Sequence, residues 1–196
     1  IRTRAEKSTT LSLTSPSQSV SPGAEVVLDI NINPGVNQVN SIKFTLNFDS
    51  NSLSTDQNSF TIDSASDLRI VEGPIVANSS FAVTVAVAND PTKTIRTEQK
   101  IGTIKFKVKD GAGSGSSQIT FDESATQVRS IGSGDTFAEN VLSTTIPATI
   151  IVETEEDTPT PTPDPSVTPS VSPTPSVSAT PTPTGGVCVA PEKVTN

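Results

Sequence analysis

The 196-residue chain is long enough for one ordinary domain and a tail, and its 13 basic against 21 acidic residues give a net charge of −8. With no His, it lacks the residue that completes the usual zinc and Ser-His-Asp sites and that most often moves protons near neutral pH. The acidic balance, without a cluster of Lys and Arg, argues against a nucleic-acid or anionic-membrane partner, and no apolar run approaches the length of a membrane span.

Apolar and polar residues alternate with period two from residue 8 to residue 153, which predicts strands that bury one face. In chain order, the clearest rows lie at 26–32, 42–48, 81–87, 104–108 and 146–152. Shorter candidates at 9–13, 68–76, 118–121 and 125–129 bring the count to about nine. Turn residues rich in Gly, Pro, Asn and Ser separate these segments. The pattern predicts an all-β fold, an antiparallel two-sheet β-sandwich with jelly-roll topology.

The same rows predict which side chains form the core. All seven Phe precede residue 154, and every one except Phe60 and Phe137 lies in an alternating row. Phe48 ends such a row, and the following Asp49 can accept backbone N–H bonds as the chain turns back toward the core at Leu53. The lysines at positions 43, 105 and 107 alternate with apolar neighbours, so we expect their side chains to point outward.

Composition changes abruptly at Glu153. Residues 158–184 contain nine Pro and thirteen Ser or Thr, a density that favours a disordered, extended, polyproline-like spacer. The expected organisation is an N-terminal extension (1–7), a β-sandwich (8–153), a Pro/Thr/Ser-rich linker (154–186) and the start of a further, truncated module (187–196). Linkers of this composition join modules outside cells, so we expect an extracellular, secreted or surface-attached protein.

No residue is assigned a catalytic, cofactor-binding or metal-binding role, and no cofactor is expected. Asp122 and Glu123 would be neighbours on a strand and face opposite sides, so they cannot flank one scissile bond. The aspartates at 49, 56, 63, 67 and 135 do not form a calcium loop. The single Cys188 has no partner for an internal disulfide. An enzyme is therefore not expected.

Four segments, in order and spacing, resemble the cohesin domain family. They are the Gly-led strand at 22–32, the strand ending in Phe-Asp-x-x-x-Leu at 39–53, and the late strands at 101–109 and 117–123. The resemblance covers almost all of residues 8–153. It implies a non-catalytic scaffolding module that recognises a dockerin-type protein partner through one sheet face, in assemblies that degrade polysaccharides or sit on cell surfaces. Outward residues around 43–47 and 105–109 are the expected contact regions.

Two alternatives remain open from the sequence. A carbohydrate-binding module shares the fold and the neighbouring linker, although this chain has no Trp or Tyr on which a sugar ring could stack. A structural module of a surface layer or filament would show the same alternating strands. Residues 187–196 end in a Pro-x-x-Val-x-Asn pattern that resembles the first strand of a fibronectin type III domain, so we expect the natural product to continue past Asn196.

Overall fold

The computed structural model describes residues 5–15, 19–87, 91–131 and 139–154, and these residues fold as two packed β-sheets. The strands of the smaller sheet are β1 (Thr9–Thr14), β3 (Glu25–Asn33), β5 (Leu53–Ser54), β6 (Phe60–Ile62), β9 (Gln99–Val108) and β13 (Leu142–Ile146). They are ordered β13-β1-β3-β9-β5, with β6 also paired to β9.

The larger sheet is built around β4 (Val39–Asn47), which pairs with β8 (Ser80–Val87) along one edge and with both β11 (Gln127–Ser130) and β10 (Gly115–Phe121) along the other. The other strands of this sheet are β2 (Ser19–Val20), β7 (Leu68–Ala77), β12 (Glu139–Asn140) and β14 (Ala148–Val152). β7 pairs only with β8 among the described residues, so it forms one edge of the sheet. A short 3₁₀ turn, Pro91–Lys93, is the only helical element among the residues described.

Aromatic contacts join the two sheets. Phe48, directly after β4, lies 5.2 Å from Phe106 on β9 between ring centroids, and Phe44 lies 5.6 Å from Phe60 on β6. Edge-to-face pairs of this kind stabilise a core beyond the area they bury. The aliphatic positions of the predicted rows fill the space around these rings, as their burial shows. The predicted all-β, two-sheet sandwich is confirmed.

Gly102 explains how β6 lies so close to β9. A β-carbon at this position would come within 2.9 Å of Cε2 of Phe60 and would also collide with the backbone carbonyl oxygen of Thr61. Only a residue without a side chain permits that approach, since real β-carbons keep a longer distance from neighbouring atoms. The pairing buries Phe60, which the sequence pattern left outside the alternating rows.

The expected count of about nine strands and the purely antiparallel arrangement are both wrong in detail. The described residues form fourteen strands, of which β2, β5, β6 and β12 contain only two or three residues. Pairs this short carry too few alternating residues to be recognised in a sequence. Two pairs, β1 with β13 and β14 with β2, run parallel.

The predicted inward row at 146–152 is wrong at its first residue. Pro147 interrupts the run, because it has no N–H for a strand ladder, and the chain changes sheets there. Ile146 ends β13 in the smaller sheet and is 49% exposed, whereas Ala148, Ile150 and Val152 of β14 face the core. The expectations for Phe137, for residues 1–4 of the extension and for residues 155–196 lie outside the described residues.

Candidate protein-docking face

The outer surface of the larger sheet is a broad area of side chains that no described element covers. We call it the β4 face, defined as the outward side chains of β11, β4, β8 and β7. Because directly paired residues in antiparallel strands point to the same side, the register places Lys43 beside Thr84 and Thr45 beside Ala82. Short side chains occupy the centre of the face: Ser41, Thr45, Ala82, Thr84 and Ala86.

An apolar side chain lies at one margin of this central area. Ile75 of β7, 57% exposed, lies opposite Ala82 and borders a shallow depression of about 60 Å³ that Lys43, Glu72, Gly73, Val83 and Thr84 also line. Gly73 has φ of +83°, and a β-carbon there would lie 2.9 Å from the carbonyl oxygen of Ala82. The glycine therefore lets β7 bulge against β8 and keeps the depression open.

Charges on the outer face of the smaller sheet are largely paired with one another. Nζ of Lys100 lies 3.4 Å from a carboxylate oxygen of Asp29 and 3.5 Å from one of Asp63, and Nζ of Lys105 lies 3.3 Å from Glu25. These are exposed pairs, each worth about 1 kcal/mol or less. Of the three lysines on β9, Lys107 alone has no partner among the carboxylates whose side chains are described.

The β4 face differs in this respect. Among the carboxylates whose side chains the structure describes, none lies within ion-pair distance of Lys43, Arg69 or Arg129. The guanidinium group of Arg129 donates a hydrogen bond of 3.4 Å to Oε1 of Gln127, and Glu72 accepts one of 3.1 Å from the Thr84 hydroxyl. The face therefore combines unpaired cations, hydroxyl groups and one apolar margin.

Asp49 ends a strand, as predicted. Its Oδ1 accepts a 2.9 Å hydrogen bond from the backbone N–H of Asn51, its Oδ2 accepts one of 2.8 Å from the Ser52 hydroxyl, and its carbonyl accepts one from the N–H of Leu53. The backbone N–H of Asn51 is the largest cause that lowers the pKa of the Asp49 carboxyl. This exposed carboxylate therefore stabilises the turn that follows β4.

Asp122 and Glu123 are not on a strand, so the premise that they alternate across one is wrong. The chain leaves β10 after Phe121 and turns at Asp122, whose carboxylate accepts hydrogen bonds from the Ser124 hydroxyl at 2.6 Å and the Ser124 N–H at 3.0 Å. The Ser124 hydroxyl is the largest cause that lowers the pKa of Asp122. Glu123 instead accepts a hydrogen bond from the Thr145 hydroxyl at 2.9 Å. The two carboxylates serve separate local contacts.

The two contact regions predicted from the sequence lie on opposite sides of the sandwich. Lys43 and Asn47 belong to β4 of the larger sheet, whereas Lys105 and Lys107 belong to β9 of the smaller sheet, and all four side chains point outward as expected. One flat partner surface cannot contact both. The sequence reasoning missed the contribution of β7 and β8, for which the only signal was the Gly73-Pro74 interruption within an apolar strand.

The described residues contain no grouped metal ligands and no helix able to cross a membrane. Asp49, Asp56 and Asp63 accept backbone hydrogen bonds in separate turns, and Asp67 is paired with Lys93. No three His, Cys, Asp or Glu within the described ranges are grouped to hold an ion. Asp135 is outside those ranges. The one short 3₁₀ turn described here cannot cross a membrane, and no longer apolar helix accompanies it in these ranges.

Comparison with known proteins matches a family model described as "Cohesin domain" to residues 9–130, which is more than half of the chain. No curated protein sequence matches. Among solved structures, CaCohA2 from Clostridium acetobutylicum is similar with a TM-score of 0.58 at 15% identity, covering 73% of this chain and 90% of its own.

Two further solved structures show the same likeness. The third cohesin of ScaC from Acetivibrio cellulolyticus, solved in complex with the ScaB dockerin, has a TM-score of 0.56 at 19% identity and covers 74% of this chain and 98% of its own. The cohesin module of a family 33 glycoside hydrolase from Clostridium perfringens also has a TM-score of 0.56, at 12% identity, and covers 78% of this chain and 100% of its own. At these identities the structural likeness concerns the fold.

Proposed function

Because the chain belongs to the cohesin domain family, we propose that residues 8–153 are a non-catalytic binding module that recognises a dockerin-type protein partner. Solved members of the family were crystallised with dockerins, among them the ScaC cohesin of Acetivibrio cellulolyticus. The module supplies a rigid sandwich, and its partner carries the activity that the assembly delivers. We place it in an extracellular or surface-attached scaffold associated with polysaccharide degradation, with residues 154–186 as a spacer to a further module.

The observation that carries the proposal is the contrast between the two outer surfaces. Two of the three lysines on β9, Lys100 and Lys105, are paired with carboxylates of the smaller sheet and its β6 loop. On the β4 face, Lys43, Arg69 and Arg129 have no partner among the carboxylates whose side chains the structure describes. The β4 face adds a floor of short side chains and the exposed Ile75, a combination of an apolar anchor and polar groups that suits a folded partner. A standard interface of about 800 Å² on each side requires a surface of several strands.

A capture experiment tests the partner class. The module, immobilised through its C-terminal tail, is exposed to secreted proteins of the source organism, and the retained proteins are identified by mass spectrometry. Affinity electrophoresis in cellulose, xylan, chitin and mannan fractions runs in parallel. Retention of a dockerin-bearing protein supports the proposal. Tight retention by a glycan, without a protein partner, would replace it with the carbohydrate-binding alternative.

A further inference from the structure

We propose that the dockerin-type partner presents acidic groups to a row of side chains bounded by two arginines on the β4 face. The inference rests on the proposed function and adds the chemistry of the partner. Arg129 of β11 lies opposite Ser41 of β4, Ser41 lies opposite Ala86 of β8, and Ala86 lies opposite Arg69 of β7. The register thus places an arginine at each end of a four-strand row.

The middle of the row carries shorter side chains than its two ends. Neighbouring strands lie about 4.8 Å apart, so three strand spacings put the two arginine backbones about 14 Å from each other. Between them stand only Ser41 and Ala86, whose side chains are short. The two exposed arginines therefore flank a central area of short side chains, where a protruding surface of the partner can contact both.

The neighbouring row adds a third cation. Lys43 and Glu72 flank Thr84 there, and Glu72 accepts a hydrogen bond from the Thr84 hydroxyl. Asp67, two residues before Arg69, is paired with Lys93 at 3.1 Å. Asp122 and Glu123 lie beyond the opposite end of β4, where the turn after β10 and Thr145 supply their hydrogen bonds. Among the side chains of these two rows, three cations stand against one carboxylate, which makes the rows themselves positive.

Local positive charge is notable because the whole chain carries a net charge of −8. An acidic partner is repelled by most of the molecule and attracted to this row, so electrostatics would orient the encounter as well as accelerate it. Arginine also recognises a carboxylate through two parallel hydrogen bonds, which favours Asp or Glu side chains as the groups bound. An acidic glycan offers carboxylates too, but the described β4 face exposes no aromatic ring for sugar stacking. The observations therefore favour a protein.

The test measures association kinetics between the full chain and the dockerin module recovered by the capture experiment, at 50 mM and 500 mM NaCl. The variant is the double charge reversal Arg69→Glu/Arg129→Glu. The matched control, Lys105→Glu/Lys107→Glu, makes the same change in net charge on the opposite sheet. Thermal unfolding confirms that both variants remain folded.

At 50 mM NaCl we expect the arginine variant to associate about 10 to 100 times more slowly than the unaltered chain, and the control to change by less than about threefold. The salt dependence of the association rate should flatten in the arginine variant. Replacing the partner's carboxylates with Lys should restore its binding to that variant.

Other outcomes overturn the inference, and they separate it from the proposed function. If the unaltered chain binds a dockerin module tightly and both variants associate at the same rate, the dockerin-type partner is supported and the role of the arginine row is refuted. Failure of every dockerin module to bind the unaltered chain would refute both the proposed function and the role of the arginine row. Retention by polygalacturonate that depends on the two arginines, without a protein partner, would reassign the row to an acidic glycan.

Discussion

At the scale of single residues, Asp49, Asp122 and Phe48 each stabilise the fold. Asp49 and Asp122 accept hydrogen bonds inside turns that follow strands, and Phe48 closes the core beside Phe106. The sequence predicts the roles of Asp49 and Phe48 because short polar side chains at strand ends and alternating apolar rows have direct physical causes. It does not predict the burial of Phe60, which depends on the absent side chain of the distant Gly102.

Phe48→Ala should lower the free energy of unfolding by about 3–5 kcal/mol, because it removes a ring that is 7% exposed and packed between the sheets. Lys107→Ala, on the outer face of β9, should change it by less than about 0.5 kcal/mol. Urea unfolding followed by circular dichroism measures both values. Equal, small effects would mean that the faces have been assigned incorrectly.

Acid should weaken the fold partly through Asp49 and Asp122. Their pKa values are lowered from the ordinary 3.8 in the folded state, so their stabilising contribution is complete above that value and is lost as the pH falls through the lower folded pKa. The variant Asp49→Asn/Asp122→Asn should be less stable than the unaltered chain at pH 7, and the difference should shrink as the pH approaches 2. Urea titrations at several pH values would show this; a constant difference would contradict it.

At the scale of elements, the positions of the long strands can be predicted from their own sequences. The points at which the chain passes from one sheet to the other cannot. β3, β4, β8 and β9 carry unambiguous alternation, and each lies where the pattern predicts. The parallel addition of β13 to β1 and the change of sheet at Pro147 depend on contacts between distant segments. For the same reason, the sequence predicts outward lysines on β4 and β9 but not that they occupy opposite faces.

Gly102→Ala tests the close approach of β6 to β9. The added methyl group collides with a backbone carbonyl and the Phe60 ring, so the free energy of unfolding should fall by about 1–3 kcal/mol. Gly111→Ala adds the same group where no atom outside the neighbouring residues lies within 4 Å. The free energy of unfolding of this variant should stay within about 0.5 kcal/mol of that of the unaltered chain. Equal melting temperatures for the two variants would refute this account of the β6 pairing.

At the scale of the whole molecule, we expect residues 8–153 to fold as an independent unit and residues beyond 154 to be accessible to proteases. All the alternating segments and all seven Phe precede the Pro-rich run, which lacks the apolar residues needed for a core. Limited digestion with a protease of broad specificity, followed by mass spectrometry, should leave a stable fragment ending near residue 154. A protected fragment that extends past residue 184 would contradict the proposed boundaries.

The function belongs to the same scale, since it depends on a face assembled from four strands that are distant in the sequence. Ile75→Asp places a charge on the exposed apolar margin of that face, and Val36→Asp makes the same change at an equally exposed position in the turn between β3 and β4. The most direct test is calorimetric titration of both variants with the captured dockerin module. We predict that Ile75→Asp weakens binding at least tenfold, about 1.4 kcal/mol, and that Val36→Asp leaves the affinity unchanged. An unaltered affinity in Ile75→Asp would contradict docking on the β4 face.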